Sequence, residues 1–414
     1  MIVFKIISVI FVLFGILMAF IISLLSRKNN NKPKQKKENH DFCILIPARY
    51  ESLVIEDLLK SIKKQTFKID FKDVYVIVES INDETVDICK KYNASYFVRK
   101  DLELKRKGYA LDECVKYILK NNKHYDAYFI FDADNILDKN FIKNMIPIFD
   151  NGYDLAAGYR NCKNGNDSVI AASSALTFSL VNTVFNNRKN KETRNITFSG
   201  TGFFIRGSLI EKWEGYPFHS LTEDYELSLY ATLNNLTTYY NTKSIFYDEQ
   251  PINFKATFNQ RVRWIRGYFD VRREYQKKLF ASLLKKDNNY GSKLDESFGI
   301  IPYIIIILGI FIWFIPLVIS CIYNYIFKNM SLFKKNIKEV LIFLFVMYLI
   351  LFFMSLVILL LENKKININK KVKIKTLFYN PIFIISYVLC AIKALTSKEV
   401  GWTKIEHGIK KKTD

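Results

Sequence analysis

The sequence predicts an α/β domain inserted between membrane-spanning helices. Long uncharged runs lie near both ends of the 414 residues, and a stretch of ordinary domain size, residues 41–296, lies between them. Within that stretch, short apolar runs alternate with segments whose apolar residues recur at helical spacing. Alternation on this scale is typical of a parallel sheet with helices on both faces.

The N-terminal run predicts an uncleaved membrane anchor over residues 1–27. Residues 6–26 carry no charge, and at about 1.5 Å per residue they can cross a hydrocarbon layer ~30 Å thick. A signal peptide has an apolar core of roughly 7–15 residues followed by a small-residue cleavage site. A basic run, residues 27–37, follows here instead, and it leads through a predicted linker, residues 28–40, into the large domain.

The C-terminal part carries further apolar runs. Residues 298–327 and 340–361 are each long enough to span a membrane. A third run, residues 377–395, contains Pro381 and Lys393, and a charge at the centre of a span costs about 2.5–3.5 kcal/mol. This run either spans the membrane or lies at its interface, and we favour an interfacial or re-entrant helix.

The distribution of basic residues decides between two classes of partner. A net charge of +21 suits nucleic acid or an anionic membrane. The basic clusters at residues 27–37, 364–375 and 396–414 flank the anchor and the membrane region, residues 297–395, so membrane lipids account for the charge and no nucleic-acid partner is predicted. The positive-inside rule then predicts a multi-pass protein of the inner cell membrane with a cytoplasmic domain, although four lysines of a loop at residues 328–338 would lie outside.

The six cysteines give little information about function. They show no C-x-x-C spacing, and two lie in or beside apolar runs. We interpret them as reduced thiols of a cytosolic and membrane protein and predict no zinc site.

Four strands are predicted in the domain, at residues 42–47, 74–78, 95–98 and 127–131. In parallel sheets ligands bind beyond the carboxyl ends of the strands. Three strand ends carry polar segments, "PARYE", "ESINDET" and "DADN", which we expect to meet on one rim. The helices between strands are predicted from two sets of apolar residues: Leu53, Leu58, Leu59 and Ile62, and Ala110, Leu111, Cys114, Tyr117 and Ile118.

The "DADN" segment supplies two candidate metal ligands, Asp132 and Asp134. Aspartates after a strand most often cap a helix or stabilise a turn. On the predicted rim, however, carboxylates at i and i+2 can both reach one Mg²⁺ or Mn²⁺ ion, which prefers oxygen ligands and shares them with phosphate. A haloacid-type phosphatase also has Asp-x-Asp, but after its first strand, whereas this pair follows the fourth.

Thr222, Glu223 and Asp224 precede a helical run and allow two interpretations. A threonine N-cap with acidic residues in the first turn is the structural one. The functional interpretation is a carboxylate base that takes the proton from an attacking hydroxyl, a role that either Asp224 or Glu223 can fill.

Gln260, Arg263 and Trp264 lie at i, i+3 and i+4 on one face of a predicted helix. An arginine fork suits a diphosphate, and a tryptophan face suits a sugar ring. The whole region, residues 255–296, is also predicted to be amphipathic and to lie at the membrane surface. Its apolar stripe continues through Tyr268, Val271, Tyr275 and Leu279, and its other faces carry Arg261, Arg266, Arg272, Arg273, Lys277 and Lys278.

The ordered motifs "DAD", "SGTG", "TED" and "QRVRW", with apolar spans on either side, resemble the membrane-embedded family 2 glycosyltransferases, which include cellulose, hyaluronan, chitin and poly-N-acetylglucosamine synthases. The resemblance covers about residues 41–285. It implies a GT-A fold, a Rossmann-like nucleotide-sugar-binding domain, over residues 41–254, with inverting transfer from a nucleotide-sugar donor.

The resemblance also assigns roles to residues. Asp132 and Asp134 match the pair that holds the donor diphosphate through a divalent metal, Mg²⁺ or Mn²⁺, and Asp224 matches the catalytic base. Arg263, Gln260 and Trp264 match the residues at the diphosphate and the acceptor end. The other expected substrate contacts are Pro47, Ala48, Arg49, Glu51, Glu79 (usually aspartate), Asp83, Lys107, Gly108, Ser199, Gly200, Thr222 and Glu223, and Trp402 with Lys404 resembles a gating segment.

Three functions follow as hypotheses. The first is a synthase that adds sugar from UDP-N-acetylglucosamine or UDP-glucose to a growing polysaccharide, with a pore that is narrow or shared with another copy or an accessory membrane subunit. The second is a single transfer to a lipid or lipid-linked acceptor. The third, a transporter or receptor with a nucleotide-binding domain, is disfavoured because residues 298–327 and 340–361 contain no charged side chain.

Overall fold

Strands and helices alternate through the domain in the computed structural model, which describes residues 2–25 and 40–397. The strands are β1 (Phe42–Pro47), β2 (Val74–Val78), β3 (Ser95–Val98), β4 (Ala127–Ile130), β5 (Ile136–Leu137), β6 (Leu155–Cys162), β7 (Phe203–Arg206) and β8 (Thr238–Asp248). The helices are α1 (Ile2–Leu25), α2 (Ile55–Lys63), α3 (Thr85–Tyr92), α4 (Lys107–Lys120), α5 (Phe141–Asp150), α6 (Val169–Leu180), α7 (Asn187–Lys191), α8 (Gly207–Trp213), α9 (Glu223–Leu233), α10 (Phe254–Ser282), α11 (Tyr290–Phe298), α12 (Ile301–Ile326), α13 (Met330–Glu362) and α14 (Lys370–Thr396). A π-helical turn, Val181–Asn186, joins α6 to α7.

The strands form one eight-stranded mixed sheet in the order β3-β2-β1-β4-β7-β6-β8-β5. The four predicted strands are parallel neighbours, which confirms that half of the sheet. β7 then runs antiparallel to β4 and β6, and β5 runs antiparallel to β8. The carboxyl ends of β1, β2, β4, β6 and β8 therefore meet on one rim, where ligands of such sheets bind.

Two apolar cores cover the two faces of the sheet. Helices α2, α3 and α5 pack on one face, and α4, α8 and α9 pack on the other. Leu53 and Tyr117, two of the apolar residues from which these helices were predicted, are 76% and 48% exposed. Leu53 precedes the first residue of α2, and the Tyr117 ring lies against Phe97 at the edge strand. All six cysteines are buried and free.

Five segments of the described residues are long and apolar enough to cross a membrane: Ile2–Leu25, Val169–Lys191, Tyr290–Ile326, Met330–Glu362 and Lys370–Thr396. The second, which consists of α6, the π-helical turn and α7, was not predicted, and it is half-buried against the domain. The predicted loop at residues 328–338 is wrong, because α13 begins at Met330. The Asn329 side chain caps this helix by accepting from the N–H of Leu332 at 3.3 Å.

The N-terminal helix packs tightly along α12. A Cβ atom at Gly15 would lie 2.6 Å from Cγ1 of Ile306, and one at Gly309 would lie 2.8 Å from Cβ of Phe11. The same helix reaches α13 through an ion pair of 3.0 Å between Lys5 and Glu339. Glycine at both crossing points lets the two helix backbones approach closely.

Both ends of α14 contact the region between the predicted spans, residues 41–296. The backbone N–H of Asn369, the residue before this helix, donates to Oδ1 of Asn166 at 2.8 Å, and the Arg266 guanidinium donates to the carbonyl of Ser397 at 3.0 Å. Between these points α14 packs along α10 and crosses α13. A helix that starts and finishes at the same domain supports the interfacial interpretation of residues 377–395, which stays a prediction.

Helix α10 is less amphipathic than predicted. Arg261, expected on its charged surface, is only 1% exposed, and Arg272 is also buried. Arg261 donates to the Phe383 carbonyl at 3.2 Å and to Oγ of Ser386 at 2.8 Å. Because α14 and α11 cover this helix, these two cations stabilise helix packing instead of facing the membrane surface.

Candidate active site

A cleft of about 910 Å³ opens at the carboxyl ends of the strands, as the rim of polar segments predicted. Its walls come from the loops after β1, β2, β3, β4 and β8, from the loop before β7, from Arg160 of β6, and from helices α4, α6, α9 and α10. The predicted residues on these walls are Pro47, Ala48, Arg49, Glu51, Glu79, Lys107, Asp132, Asp134, Ser199, Gly200, Thr222, Glu223, Asp224, Gln260, Arg263 and Trp264.

Three predicted contacts are not on the walls. Asp83 is buried behind the β1 loop, where its carboxylate accepts from the N–H groups of Tyr50 and Thr85 at 3.0 and 2.9 Å. Gly108 packs against the backbone: a Cβ atom there would lie 1.9 Å from the Phe218 carbonyl oxygen. Both residues support the walls, and the substrate-contact role predicted for them stays a prediction. Trp402 lies outside the described residues, as do Lys404 and the rest of the predicted gating segment.

Arginine and glutamate side chains alternate on the wall formed by β1 and β2. Nε of Arg49 is 2.8 Å from Oε2 of Glu79, and Nη1 of Arg99 is 3.7 Å from Oε1 of the same glutamate. Arg99 is fixed by Oε1 of Glu113, which accepts from its Nη2 at 2.8 Å. Glu79 is thus held in place by two cations, at the end of the strand next to β1.

Asp132 and Asp134 sit in a turn that is held from several sides. The N–H of Asp132 donates to Oγ1 of Thr201 at 2.8 Å, and Nδ2 of Asn135 donates to Oδ1 of Asp134 at 3.0 Å. Nζ of Lys107 donates to Oδ1 of Asp132 at 2.5 Å and to the Gly200 carbonyl at 2.6 Å. The next helix, α5, begins only at Phe141, so these aspartates are not its caps.

This turn fits a divalent cation that is shared with a phosphate ligand. Its two carboxylates offer hard oxygen atoms at the cleft wall, the donor type that Mg²⁺ and Mn²⁺ prefer. No group of three or more His, Cys, Asp or Glu side chains forms a closed metal site within residues 2–25 and 40–397. Two protein carboxylates with phosphate oxygens completing the shell is the usual Mg²⁺ arrangement.

Glu223 and Asp224 begin α9 at the cleft wall, where Oε1 of Glu223 lies 3.8 Å from Nζ of Lys107. Thr222 occupies the N-cap position, but its side chain makes no cap hydrogen bond, so the N-cap interpretation is wrong in that respect. Burial raises the pKa of Glu223 to about 7, with Lys107 opposing the shift and the negative Asp224 adding to it. Burial likewise raises the pKa of Asp224, against the influence of Lys107 and Arg160. Gly200 borders Asp224, since a Cβ atom there would lie 3.8 Å from its Oδ2.

The predicted face of α10 lines the side of the cleft nearest the membrane helices. Trp264 contacts Phe178 of α6 edge to face, with ring centroids 5.8 Å apart. Gln260 also lines the cleft. Its buried Oε1 atom has no hydrogen-bond partner within the described part of the chain. Arg263 stands between them on the helix face. An apolar ring pair beside free hydrogen-bonding groups suits a sugar ring with its hydroxyls.

Sequence reasoning missed Arg160, Phe178 and Asp248. The Arg160 guanidinium stacks on the Phe178 ring at 3.9 Å, donates to the Ser199 carbonyl at 2.7 Å and pairs with the buried Asp248. These residues belong to β6, α6 and β8, where no short motif surrounds them. The only available signal was a charged residue inside each of two long strands, which is costly unless the charge is paired.

The mixed sheet and its cleft define a GT-A domain with apolar helices on either side. The family model described as "Glycosyltransferase like family 2" matches residues 40–267, more than half of the chain. The chain therefore belongs to glycosyltransferase family 2, which confirms the family and the fold class predicted from the motifs.

Relatives extend this result. The chain is 26% identical to the probable glycosyltransferase YdaM of Bacillus subtilis over 258 residues, which is 57% of this chain and 58% of the relative. It is 27% identical to glucomannan 4-beta-mannosyltransferase 1 of Oryza sativa over 183 residues, 43% of this chain and 34% of the relative. In each case the chain spans less than two thirds of the relative's length.

One solved structure shares the fold over nearly the whole chain. The mannosyltransferase PcManGT from Pyrobaculum calidifontis, solved in complex with GDP-Man and Mn²⁺, superimposes with a TM-score of 0.56 at 11% sequence identity. The match covers 96% of this chain and all of that one. The similarity therefore includes the helices on either side of the GT-A domain.

Proposed function

We propose that this protein transfers a sugar, with inversion, from a nucleoside-diphosphate sugar to an acceptor hydroxyl at the membrane surface. The observation that carries the proposal is the cleft itself. Asp132, Asp134, Asp224, Arg263 and Trp264 all line it, and Nζ of Lys107 lies 2.5 Å from Asp132 and 3.8 Å from Glu223, the residue before Asp224. A diphosphate, a sugar and an acceptor hydroxyl can be accommodated between these groups in one volume.

The donor binds along the wall made by β1, β2 and β4. Arg49 and Glu79 face the nucleoside, and Lys107 and Arg263 face the diphosphate, where positive charge favours binding. Asp132 and Asp134 would hold a divalent metal, Mg²⁺ or Mn²⁺, which supplies charge neutralisation to the leaving diphosphate. The complex of PcManGT with GDP-Man and Mn²⁺ supports a metal of this class.

Asp224 acts as the base. Its carboxylate takes the proton of the acceptor hydroxyl as that oxygen bonds to the anomeric carbon from the face opposite the diphosphate. The bond between the anomeric carbon and the diphosphate oxygen breaks, and its electron pair leaves with the nucleoside diphosphate, so the anomeric configuration inverts. Burial supports this role because a raised pKa makes Asp224 a stronger base.

The acceptor is a growing polysaccharide, and the donor is UDP-N-acetylglucosamine or UDP-glucose. The edge-to-face rings of Trp264 and Phe178 support a sugar acceptor on the membrane side of the cleft. GDP-mannose joins the donors to be tested, since one relative is a glucomannan mannosyltransferase. The basic residues that flank the spans support a cytoplasmic location for the domain, at the inner face of the cell membrane.

A second candidate is a single transfer to a lipid-linked acceptor. Val181 of the π-helical turn lines the cleft, and Val184 and Phe185 of the same turn are exposed. This apolar path from the cleft toward the outside favours an acceptor with a hydrocarbon part.

The test incubates the full chain in lipid nanodiscs with labelled UDP-N-acetylglucosamine, UDP-glucose or GDP-mannose and Mg²⁺ or Mn²⁺. Size-resolved products separate a ladder, expected for polymer synthesis, from the single addition of the second candidate. Asp224→Asn should abolish transfer, whereas Asp87→Asn, an exposed control on α3, should not change it. Absence of transfer from every donor, or full transfer by Asp224→Asn, would refute the proposal.

A further inference from the structure

A cluster of buried charges lies outside the cleft, where a candidate span meets the catalytic domain. Helix α11, which leads into α12, carries two adjacent acids, Asp295 and Glu296. Lys189 of α7, Arg194 after it and Arg272 of α10 surround them, and these five side chains are between 1% and 15% exposed. Removing one member of such a cluster leaves an uncompensated buried charge.

Lys189 connects both acids to the loop on one side of the catalytic base. Its Nζ is 2.9 Å from Oε1 of Glu296 and 3.2 Å from Oδ2 of Asp295, and it donates to Oγ1 of Thr197 at 3.2 Å. Thr197 lies in the loop before β7, two residues before Ser199. Gly200 of the same loop borders Asp224. Helix α11 is therefore connected through Lys189 to the loop that borders Asp224.

Glu296 also reaches the helix that carries the base. The Tyr225 hydroxyl donates to its Oε2 at 3.4 Å, and the Arg272 guanidinium donates to its backbone carbonyl. Tyr225 follows Asp224 directly, and its ring stacks on Tyr268 with centroids 4.8 Å apart. Both rings line the cleft. One carboxylate thus contacts the first turn of α9 directly and the loop opposite it through Lys189.

We propose that Asp295 and Glu296 are positioning residues for Asp224, so that the base is held in place from the membrane side. Glu296 fixes α9 through Tyr225, both acids fix the Gly200 loop through Lys189, and Asp224 lies between these two supports. The inference rests on the proposed function in so far as Asp224 is the base. A displacement of about 1 Å in a reacting group can cost about a hundredfold in rate.

Amide hydrogen exchange on the full chain in nanodiscs tests the positioning without relying on activity. Glu296→Gln keeps the size of the side chain and removes its charge. We expect exchange in residues 222–229 and 197–202 to rise about tenfold, with residues 42–48 and 74–78 unchanged. Tyr225→Phe should give a smaller rise in residues 222–229. Glu274→Gln, an exposed position of α10, is the matched control and should behave as wild type.

Kinetics then connect the positioning to catalysis. We expect Glu296→Gln to lower kcat about tenfold to a hundredfold while the donor KM stays within about twofold, because the donor wall is held by other contacts. A cluster that served only for docking would raise exchange throughout the sheet and raise KM together with the loss of kcat. That result, or a Glu296→Gln variant identical to Glu274→Gln, would overturn the inference.

Failure of the proposed function has a different signature. If the wild-type chain transfers no sugar from any donor, the proposed activity fails, while the exchange pattern still decides whether these acids hold α9. If the wild-type chain transfers sugar and Glu296→Gln leaves exchange in residues 222–229 unchanged, the activity stands and the inference is overturned.

Discussion

The two walls of the cleft differ in what holds them. The donor wall is supported from within the catalytic domain: Asp83 holds the β1 loop, Glu113 holds Arg99, and Asp132 pairs with Lys107. The wall around the base and the acceptor is supported by helices of membrane character. Lys189 pairs with Glu296 of α11, and the Thr183 hydroxyl donates to Oε1 of Glu362, the last residue of α13, at 2.6 Å.

We infer from this difference that helices of membrane character support the wall that carries Asp224 and do not serve only as an anchor. The donor wall should tolerate changes in the spans, because its contacts are local. The base and acceptor wall should tolerate them less, because contacts from α11, α13 and α14 add to those that Arg160 and Lys107 make with the Ser199 and Gly200 carbonyls. Variants of the first wall are therefore expected to act on donor affinity, and variants of the second on kcat.

The largest effect is expected at the base. Asp224→Asn removes the proton acceptor and keeps the size of the side chain, so kcat should fall by about 10²- to 10⁴-fold while nucleotide affinity stays close to wild type. Single-turnover transfer and nucleotide binding by calorimetry measure the two quantities. A loss of nucleotide affinity equal to the loss of rate would place Asp224 with the donor wall instead.

On the donor wall, Asp134→Asn should weaken metal-dependent nucleotide binding by about 10²-fold or more, since an interaction with a metal is worth several kcal/mol. Titration of nucleoside diphosphate with and without Mn²⁺ measures this effect. In wild type the metal should strengthen binding, and in the variant it should not. A variant whose binding still responds fully to Mn²⁺ would contradict the assignment of the site, and Asp87→Asn serves as control.

The contact between α10 and α14 offers an intermediate effect. Arg261→Lys keeps the charge but loses the guanidinium fork that bonds Phe383 and Ser386, so kcat should fall about tenfold and the melting temperature by several degrees, with donor KM unchanged. Arg273→Lys, an exposed neighbour, should be neutral. A rise in donor KM for Arg261→Lys would contradict the expectation that contacts from α14 affect kcat and not donor affinity.

A smaller effect is expected behind the donor wall. Asp83→Asn weakens two charge-assisted hydrogen bonds, one from the Tyr50 N–H of the β1 loop and one from the Thr85 N–H at the start of α3, and should raise donor KM by about three- to tenfold with kcat unchanged. Steady-state kinetics over a range of donor concentrations measure both constants. A loss of kcat at constant KM would argue that this loop supports the base wall.

The smallest effect concerns pH. The raised pKa of Asp224 should make kcat/KM fall with decreasing pH at values above the usual carboxylate range, because the protonated acid cannot act as a base. Glu223→Gln removes a neighbouring negative charge, which lowers the pKa of Asp224 and moves this fall to lower pH. At pH values where Asp224 is fully ionised, the rate should change less than about threefold. A shift to higher pH would mean that Glu223 does not act on Asp224 through its charge.

The sequence predicted the donor wall well because its information is local. A buried strand followed at once by a polar segment puts Arg49, Glu79 and Asp132 at strand ends wherever the rest of the chain goes. The positions of Asp83 and Gly108 behind the walls could not be predicted, because adjacency in sequence does not tell a wall residue from its support. Burial and a clash at 1.9 Å can be read only from the fold.

The base and acceptor wall could be predicted only where a motif existed. Asp224 and Trp264 were found, whereas Arg160 and Asp248 were missed because their strands lie far apart in sequence and pair in space. Asp295 and Glu296 resemble ordinary exposed acids of an amphipathic helix, and only long-range packing buries them. Membrane-helix contacts of this kind leave no periodic signal in the chain.

The close crossing of α1 and α12 sets a limit on how the protein can be re-engineered. Gly15 and Gly309 let these backbones touch, and Lys5 fastens the same helix to α13. An unrelated apolar helix of equal length would still span the bilayer. Its larger side chains at the crossing points would increase the distance between the two helix axes and displace α12, and with it α11. The sequence of the N-terminal helix is thus matched to its partner helices. Replacing it would alter the packing at the other end of the α11–α12 segment, where Glu296 contacts Tyr225 beside Asp224.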